Sequence, residues 1–327
     1  MAKIKAGIIG GAGYTGGEAI RILINHPDVE LAYVQSTSNA GNPLWSVHTD
    51  LLGDTDMKFT DKFSPDVNVI FICAGHNAAR KFIEENDIPA GMKIVDLSQD
   101  FRLHDKSEIK GRKFVYGLPE FNRDAIKKAD SIANPGCFAT CLQLGMLPLA
   151  ANGLLKGDVH VTATTGSTGA GQALSATTHF TWRANNMSVY KAFEHQHLNE
   201  IGETIKTLQN NFLNDINFIP YRGDFTRGII ASIYTDCEKS AEEIKEIYEN
   251  YYKDAAFTHV SGKNTNLKQV VNTNKCLVYT EKHGDKVMII SIIDNLLKGA
   301  SGQAVQNMNL MFGLDEKAGL RLKAAAF

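Results

Sequence analysis

The chain has 327 residues, enough for two domains that each bury a core of their own. Hydrophobic residues make up 43% and charged residues 21%, which are ordinary values for a globular protein. The formal net charge of -2 creates no long-range field that would attract nucleic acid or an acidic membrane. We therefore expect a small-molecule substrate, no nucleic-acid partner and no membrane partner.

The first half of the chain alternates short apolar runs with helical patterns. The predicted strands are residues 4–9, 29–34, 67–73 and 92–97, and the predicted helices are residues 18–25 and 78–85. This alternation is typical of βαβ units that build a parallel sheet. His26, just before Pro27, is predicted to be an exposed turn residue.

The rhythm changes near residues 131–136, and the later predicted strands follow one another more closely. They are residues 159–165, 227–234, 267–272, 276–282 and 286–293. The turn His283-Gly284-Asp285 predicts a hairpin, so this half is expected to hold an antiparallel or mixed sheet. Ser240 and Glu243 form a capping box that begins a helix to about residue 252. A last helix, residues 301–312, is predicted to pack back on the first domain.

No feature of the sequence predicts export or membrane insertion. The N-terminal residues lack the charged, apolar and small-residue regions of a signal peptide. No apolar run approaches the roughly 20 residues that cross a bilayer. The cysteines have no C-x-x-C spacing, so reduced thiols and a cytoplasmic location are expected.

The first strand is followed at once by a glycine turn. Gly10, Gly13 and Gly16 have the spacing G-x-x-G-x-x-G, and Tyr14 and Thr15 lie within it. A dinucleotide pyrophosphate needs close backbone approach and unpaired N–H groups at this point of a βαβ unit. An ordinary strand-to-helix turn is the alternative, but the position favours nucleotide binding.

The end of the second predicted strand indicates which nucleotide binds. The run Gln35-Ser36-Thr37-Ser38-Asn39 holds no carboxylate that would repel a 2′-phosphate. The hydroxyls of Ser36 and Ser38 can donate hydrogen bonds to that phosphate. NADP is therefore favoured, although the run contains no arginine.

Cys137 is the candidate nucleophile. It follows Asn134-Pro135-Gly136 and precedes an apolar helical pattern at residues 138–149, which places it at a helix start. The partial positive charge of a helix N-terminus favours the thiolate and lowers a thiol pKa from its reference of about 8.5. A buried structural cysteine, the alternative, describes Cys73 and Cys141 better.

His195 and His197 are the candidate acid and base groups, because histidine titrates near neutrality. Glu200 lies one helical turn beyond His197 and can reach it, but not easily His195. Cys137 and the two histidines would also supply three zinc ligands. No fourth ligand stands near them, so the zinc hypothesis is the weaker one.

Two further features are candidates for substrate binding. The loop Gly166-Ser167-Thr168-Gly169-Ala170-Gly171 follows a strand and offers N–H donors and hydroxyls, Ser167 and Gly169 included, to phosphate or an oxyanion. Arg222 and Arg227 begin a later strand, and a guanidinium binds a carboxylate bidentately. A mobile connection and two surface charges are the alternatives.

Six segments together resemble the N-acetyl-γ-glutamyl-phosphate reductase family of arginine biosynthesis. The segments are GGAGYTG at residues 10–16, DLSQDFRL at 96–103, YGLPE at 116–120, NPGC at 134–137, HQHLNE at 195–200 and DNLLKGASGQA at 294–304. The resemblance runs from the first strand to the last helix, and the order of the segments is specific.

The resemblance implies an α/β protein with two domains. A Rossmann-type NADP-binding domain would comprise residues 1–136 and 301–327, and an α+β catalytic and dimerisation domain residues 137–300. This architecture is like that of glyceraldehyde-3-phosphate and aspartate-semialdehyde dehydrogenases. A homodimer or homotetramer is expected.

The resemblance also implies the chemistry and the site. An N-acyl-glutamyl phosphate would form a thioester with Cys137, and NADPH would reduce it to the semialdehyde with release of phosphate. His195 is preferred as the acid/base, with His197 in a positioning role held by Glu200. The nicotinamide-side contact would fall near Asn295.

The chain departs from the family pattern at three places. Thr37 stands where an arginine is common, and Phe138-Ala139 stand where tyrosine and proline are usual. The segment at residues 220–228 carries an additional arginine, so an N-acyl group other than acetyl, such as N-succinyl, is a second hypothesis for the substrate. Aspartate-semialdehyde dehydrogenase activity is a third hypothesis, and a non-catalytic dinucleotide-binding regulator is a fourth.

Overall fold

The computed structural model describes residues 2–75 and 77–326, so Met1, His76 and Phe327 lie outside the described residues. It divides into two compact units. The first comprises Met1–Pro135 and Ala300–Arg321, and the second comprises Gly136–Gly299 and Leu322–Phe327. The predicted division placed all of residues 301–327 in the first domain, whereas the structure groups 322–326 with the second unit.

The first unit is built on a parallel sheet. Its strands are β1 (Ile4–Ile9), β2 (Val29–Gln35), β3 (Phe59–Thr60), β4 (Val69–Ile72), β5 (Lys93–Asp96), β8 (Val115–Tyr116) and β9 (Ser131–Ala133), with a separate ribbon of β6 (Glu108–Ile109) and β7 (Arg112–Lys113). Within the described residues the strand order is β3-β2-β1-β4-β5-β9-β8, and every pair is parallel. Strands β2 and β4 flank β1, so the chain switches direction at the carboxyl end of β1, where open α/β sheets bind ligands.

The helices of the first unit are α1 (Tyr14–Leu23), α2 (Ala78–Glu85), α3 (Pro119–Lys128) and α8 (Gly302–Met311). The helix α8 packs against α1 and α3, which confirms that the last helix returns to the first domain. It is buried on every side, and its amides bind carbonyl oxygens: Asn307 Nδ2 donates to Gly117 O at 2.8 Å. Chain segments far apart in sequence are thereby tied together.

The prediction that His26 is an exposed turn residue is wrong. Its side chain is only 2% exposed, because Nε2 lies 3.1 Å from Asn309 Oδ1 on α8. Burial lowers the pKa of His26. The turn residue is therefore part of the contact between the start of the chain and its last helix.

The second unit is built on a mixed sheet, as predicted. Its strands are β10 (Val159–Thr165), β11 (Ser188–Val189), β12 (Ile216–Arg222), β13 (Ile229–Asp236), β14 (Thr258–Val260), β15 (Cys276–His283) and β16 (Lys286–Ile293). Among the described residues the strand order is β11-β12-β10-β13-β16-β15-β14. The pairs β10/β12 and β14/β15 are parallel, and the others are antiparallel. The predicted hairpin joins β15 to β16.

One predicted strand is wrong. Residues 267–272 do not extend, because Leu267–Gln269 form a 3-10 turn. The Asn266 side chain accepts a hydrogen bond from Lys268 N and begins this turn, and Asn272 has a φ of 68°. Local side-chain capping therefore overrides the apolar pattern.

The helices of the second unit are α4 (Cys137–Ala151), α5 (Phe180–Arg183), α6 (His197–Leu208) and α7 (Ala241–Tyr252). The capping box of Ser240 and Glu243 begins α7 as predicted. Helix α4 packs on β13, β16, α6 and α7, and residues 138–150 are all buried. A helix that is apolar all round belongs in a core, so α4 is the central element of this unit. Within the described chain, no helix combines the length and apolar character needed to cross a membrane.

A proline inside α4 creates a hydrogen-bonding problem that α7 solves. Pro148 has no N–H, so the carbonyl of Leu144 one turn earlier lacks its helical donor. The Tyr252 hydroxyl donates to Leu144 O, and the Tyr248 hydroxyl donates to Gly145 O at 2.6 Å. Both tyrosines are buried, so the two hydroxyls replace water at the proline break.

Replacing Tyr252 with phenylalanine is expected to destabilise the protein by about 1–3 kcal/mol, because the buried Leu144 carbonyl would lose its donor. Chemical denaturation would measure the loss. Tyr234→Phe, whose side chain on β13 is exposed, is the matched control and should stay within about 0.5 kcal/mol of wild type. Equal stability of Tyr252→Phe and wild type would contradict the role of the hydroxyl.

Candidate active site

The glycine turn of the first unit has the backbone that close packing requires. Gly10 has a φ of 75°, and a Cβ there would lie 3.0 Å from Ala74 N. A Cβ on Gly16 would lie 2.5 Å from Gly11 O, so only glycine lets the helix approach the turn. Gly13, by contrast, faces open space and precedes α1 without a side-chain cap. The first N–H groups of α1, at Tyr14 and Thr15, are therefore placed for an anion.

The hydroxyls predicted for the 2′-phosphate follow β2 beside this turn. Asn39 Nδ2 donates to Ser36 Oγ at 3.2 Å and to Ser38 Oγ at 3.1 Å, which holds the two hydroxyls together. Gly10 N donates to Gln35 Oε1 at 3.3 Å, so the run and the turn are in contact. The first turn of α1 holds no acidic residue. These residues fit a nucleotide that carries an additional phosphate.

Cys137 is the first residue of α4, as the sequence predicted, and it is half-buried. Two glycines allow its neighbours to approach. A Cβ on Gly299 would lie 2.9 Å from Cys137 Cβ, and a Cβ on Gly136 would lie 2.3 Å from His197 Nε2. Glycine at these two positions brings the chain close to the thiol on one side and a histidine close to its backbone on the other.

The cysteine one turn later has a different environment. Cys141 is fully buried, and its Sγ lies 3.3 Å from the carbonyl oxygen of Ser291. Burial raises the pKa of the Cys141 thiol well above its ordinary value. This agrees with the interpretation of Cys141 as structural and leaves Cys137 as the candidate nucleophile on α4.

His195 lies in an aromatic pocket directly beside the start of α4. Its ring centroid is 5.3 Å from that of Phe138, 5.5 Å from Phe218 and 4.6 Å from His197. His197 N donates to His195 Nδ1 at 3.2 Å, so the neutral ring carries its proton on Nε2. Burial, followed by the charges of Lys191 and Arg222, lowers the pKa of His195 to about 4. The ring is therefore neutral at pH 7.

Glu200 connects the histidine pair to the cysteine helix. Helix α6 begins at His197, so Glu200 lies in its first turn, and Glu200 Oε1 is 4.0 Å from His197 Nε2. The other carboxylate oxygen accepts a hydrogen bond from Gly136 N at 3.1 Å. The predicted approach of Glu200 to His197 is present, and the carboxylate additionally anchors the residue that precedes Cys137.

The predicted N–H cradle in the glycine-rich loop is wrong. The loop packs against residues 225–228 so closely that a Cβ on Gly166 would lie 2.4 Å from Thr226 O. Backbone carbonyl oxygens accept hydrogen bonds from the N–H groups of Gly166, Ser167, Thr168, Gly169 and Gly171. The glycine at position 166 therefore serves close packing. The Ser167 hydroxyl makes no hydrogen bond within the described chain, so it is the group left for a substrate oxygen.

Asn295 and Arg227, which were predicted to contact the cofactor and the substrate, form hydrogen bonds to other residues of the protein instead. Asn295 is buried, its Oδ1 accepts from Gly228 N at 2.8 Å, and its Nδ2 donates to Thr168 Oγ1 at 3.0 Å. The Arg227 guanidinium donates to both carboxylate oxygens of Asp294, at 3.1 and 3.2 Å. These bonds connect the glycine-rich loop to the end of β16.

Arg222 is placed differently. Its guanidinium carbon lies 4.7 Å above the ring of Tyr190, whose centroid is 5.8 Å from that of His195. Among the described residues, Arg222 forms no ion pair with a carboxylate. The geometry therefore favours Arg222 over Arg227 for a substrate carboxylate. Sequence reasoning missed Tyr190, whose sole signal is an aromatic residue between a short strand and the histidine pair.

His48 was also missed. Its Nε2 lies 2.8 Å from Gly11 O, and its ring packs where a Cβ on Gly17 would stand. His48 therefore contacts both the glycine turn, at Gly11, and helix α1, at Gly17. No motif connects it with residues 37 positions earlier in the chain.

For the zinc hypothesis, the described residues contain no group of three or more histidine, cysteine or acidic side chains arranged to hold a metal ion.

Comparisons with known proteins show the family of the chain. Residues 5–129 match the semialdehyde dehydrogenase NAD binding domain, and residues 137–295 match the semialdehyde dehydrogenase dimerisation domain. The chain is 58% identical to N-acetyl-gamma-glutamyl-phosphate reductase from Christiangramia forsetii over 324 residues, and 58% identical to that from Bacteroides thetaiotaomicron over 325 residues. Each alignment covers 99% of this chain and 100% of the relative.

Solved structures confirm the predicted fold class. Aspartate semialdehyde dehydrogenase II from Vibrio cholerae, complexed with ASA, has a TM-score of 0.71 at 16% identity and covers 96% of this chain and 99% of its own. The Candida albicans aspartate semialdehyde dehydrogenase with NADP has a TM-score of 0.69 at 14% identity, with 95% and 99% covered. At these identities the likeness establishes the fold alone.

The low pKa of His195 predicts a specific loss of stability in acid. The folded ring binds its proton near pH 4 and the unfolded ring near pH 6.5, so stability is full above 6.5 and declines as pH falls towards 4. At pH 5 the loss is about 2 kcal/mol. Denaturant unfolding at pH 7 and pH 5 should show a loss that is about 2 kcal/mol larger in wild type than in His195→Gln, in which buried groups such as His26 still contribute.

The exposed hairpin residue His283 is the control, and His283→Gln should keep the wild-type dependence on pH. An equal decline in wild type and His195→Gln would show that other groups cause it.

Proposed function

Since the chain belongs to the N-acetyl-γ-glutamyl-phosphate reductase family, we propose that it reduces N-acetyl-γ-glutamyl phosphate to N-acetylglutamate 5-semialdehyde with NADPH, in arginine biosynthesis. The observation that carries the proposal is that Cys137 begins α4, whose next residue, Phe138, contacts the neutral ring of His195 at a centroid distance of 5.3 Å. Helix-start cysteines favour the thiolate, and the thiolate is the nucleophile in acyl transfer.

The first step is acyl transfer to the thiol. The Cys137 thiolate attacks the γ-carbonyl carbon, the new C–S bond forms, and the C–O bond to phosphate breaks. The phosphate dianion adds negative charge beside His195, which opposes the charges of Lys191 and Arg222 and raises the proton affinity of the ring. His195 can then bind a second proton from solvent, give that proton to the departing phosphate and return to its neutral form.

The remaining groups orient the substrate. The Arg222 guanidinium donates hydrogen bonds to the α-carboxylate, and the Ser167 hydroxyl donates to a phosphate oxygen. The Nε2–H of His195 donates to the carbonyl oxygen when negative charge develops there. Glu200 holds Gly136, so the sulfur keeps its position when the aldehyde leaves and the thiolate re-forms.

The cofactor would be held by the first unit. Gly10, Gly13, Tyr14, Thr15 and Gly16 would bind the pyrophosphate. The hydroxyls of Ser36 and Ser38 would bind the 2′-phosphate. Bound NADPH supplies the hydride that reduces the Cys137 thioester.

The dimerisation domain that residues 137–295 match supports a homodimer or homotetramer. The cytoplasmic location stays a prediction. Aspartate-semialdehyde dehydrogenase activity is the nearest alternative, and the fold is compatible with it. Assays with N-acetylglutamate semialdehyde and aspartate semialdehyde separate the two activities.

Replacing Cys137 with serine is expected to abolish phosphate-dependent reduction of NADP by N-acetylglutamate semialdehyde, while NADP binding is retained. A hydroxyl is a far weaker nucleophile than a thiolate, so a loss of at least about 1000-fold in kcat is expected. Cys237→Ser, a buried cysteine of the same unit, is the control and should keep most of the activity. Turnover by Cys137→Ser near the wild-type rate would refute the thioester mechanism.

Replacing Ser38 with aspartate is expected to lower kcat/KM for NADP at least about 10-fold relative to NAD, because the carboxylate repels a 2′-phosphate and can accept a ribose hydroxyl. Steady-state kinetics with both cofactors measures the ratio. Ser46→Asp, in an exposed turn, is the charge-matched control. An unchanged ratio in Ser38→Asp would place the 2′-phosphate elsewhere.

A further inference from the structure

Arg183 is a cation that the proposed mechanism does not use. Its side chain is 7% exposed, and its guanidinium makes as many hydrogen bonds as it has N–H groups. Nε and Nη2 donate to Thr177 O, Nη1 donates to Asn186 O and Arg222 O, and Nη2 also donates to Ser188 Oγ. The shortest of these, to Arg222 O, is 2.8 Å.

This arrangement is costly as a stabilising device. The hydrogen bonds go to neutral oxygens, and a buried cation without a carboxylate at hydrogen-bond distance recovers only part of its lost hydration energy. Burial and the charge of Arg222 lower the pKa of Arg183. Lysine has three donors on one atom and cannot reproduce the planar fork. The arginine at position 183 is therefore better explained by the positions of the groups that it binds than by a gain in stability.

The geometry that Arg183 holds is that of the candidate carboxylate site. Ser188 on β11 pairs with Arg222 on β12, and Arg183 binds both residues. Tyr190 follows β11 directly, and its N–H donates to Pro220 O at 3.2 Å. The register of this short strand therefore sets the Tyr190 ring under the Arg222 guanidinium.

We propose that Arg183 is a positioning residue that determines the affinity of the site for the substrate carboxylate, through Arg222 and Tyr190. The inference rests on the proposed function, in which Arg222 binds that carboxylate. Arg183 itself touches no reacting atom. Its loss should weaken substrate binding and leave the thiol chemistry at Cys137 unchanged.

The test compares Arg183→Lys and Arg183→Ala with wild type in the phosphate-dependent oxidation of N-acetylglutamate semialdehyde. We expect KM for the semialdehyde to rise at least about 10-fold in both variants, with kcat within about threefold and KM for NADP unchanged. Added guanidinium ion at millimolar concentration should restore part of the affinity in Arg183→Ala. The rate of Cys137 alkylation by iodoacetamide should stay at the wild-type value.

The matched control is Arg80→Lys in the first unit, where the guanidinium also donates to backbone carbonyl oxygens. It should leave KM for the semialdehyde unchanged. A purely structural Arg183 would lower the melting temperature in its variants with no change in KM. That result, or a parallel fall in kcat and alkylation rate, overturns the inference.

Failure of the positioning role can be told apart from failure of the proposed function. If wild type does not oxidise N-acetylglutamate semialdehyde, the proposed function is wrong. A crystal structure of Arg183→Lys then still decides the positioning role. Displacement of the Arg222 guanidinium from the Tyr190 ring supports it, and an unchanged stack refutes it.

Discussion

The amino end of helix α4 is the constraint on which the site depends. The first N–H groups of a helix have no helical partner, and their partial positive charge stabilises a thiolate placed beside them. Here Glu200 reaches from another helix to bind Gly136 N, and the ring of His197 lies against the same glycine. A side chain at position 136 would clash with the ring of His197. The first turns of helices α4 and α6 thus meet at Gly136, directly before the candidate nucleophile.

The electrostatics of the second unit separate structural from reactive charges. Arg227 and Asp294 neutralise each other, and the buried Asp294 also accepts hydrogen bonds from the backbone N–H groups of Leu296 and Leu297, so it fixes the chain reversal after β16. Burial, followed by the charges of Lys191 and Arg222, lowers the pKa of His195 and keeps its ring neutral at pH 7. Arg222, unlike Arg227, therefore remains available to a ligand that carries negative charge.

Periodicity predicted the sheets well, because strands such as β10 and β16 are long, apolar and bounded by turn residues. It failed at residues 267–272, where Asn266 caps a turn that no apolar count reveals. Motif spacing located Cys137, the histidines and the glycine turn. It could not show that the amides at residues 166–171 bind carbonyl oxygens, or that His48 and Tyr190 support the two sites, because contacts between distant parts of the chain leave no local pattern. Which arginine is paired is likewise a property of packing.

The buried amides of α8 have a consequence for how the protein is made. The carbonyl of Gly117 and the side chain of His26 find their partners on a helix that leaves the ribosome only after residues 136–299. The parallel sheet at the start of the chain must therefore wait, with apolar and polar groups uncovered, while the whole second unit is synthesised. Domains are generally completed in order during translation, and this one cannot be. Truncation before residue 302 would remove α8 and leave these groups of the first unit without their partners.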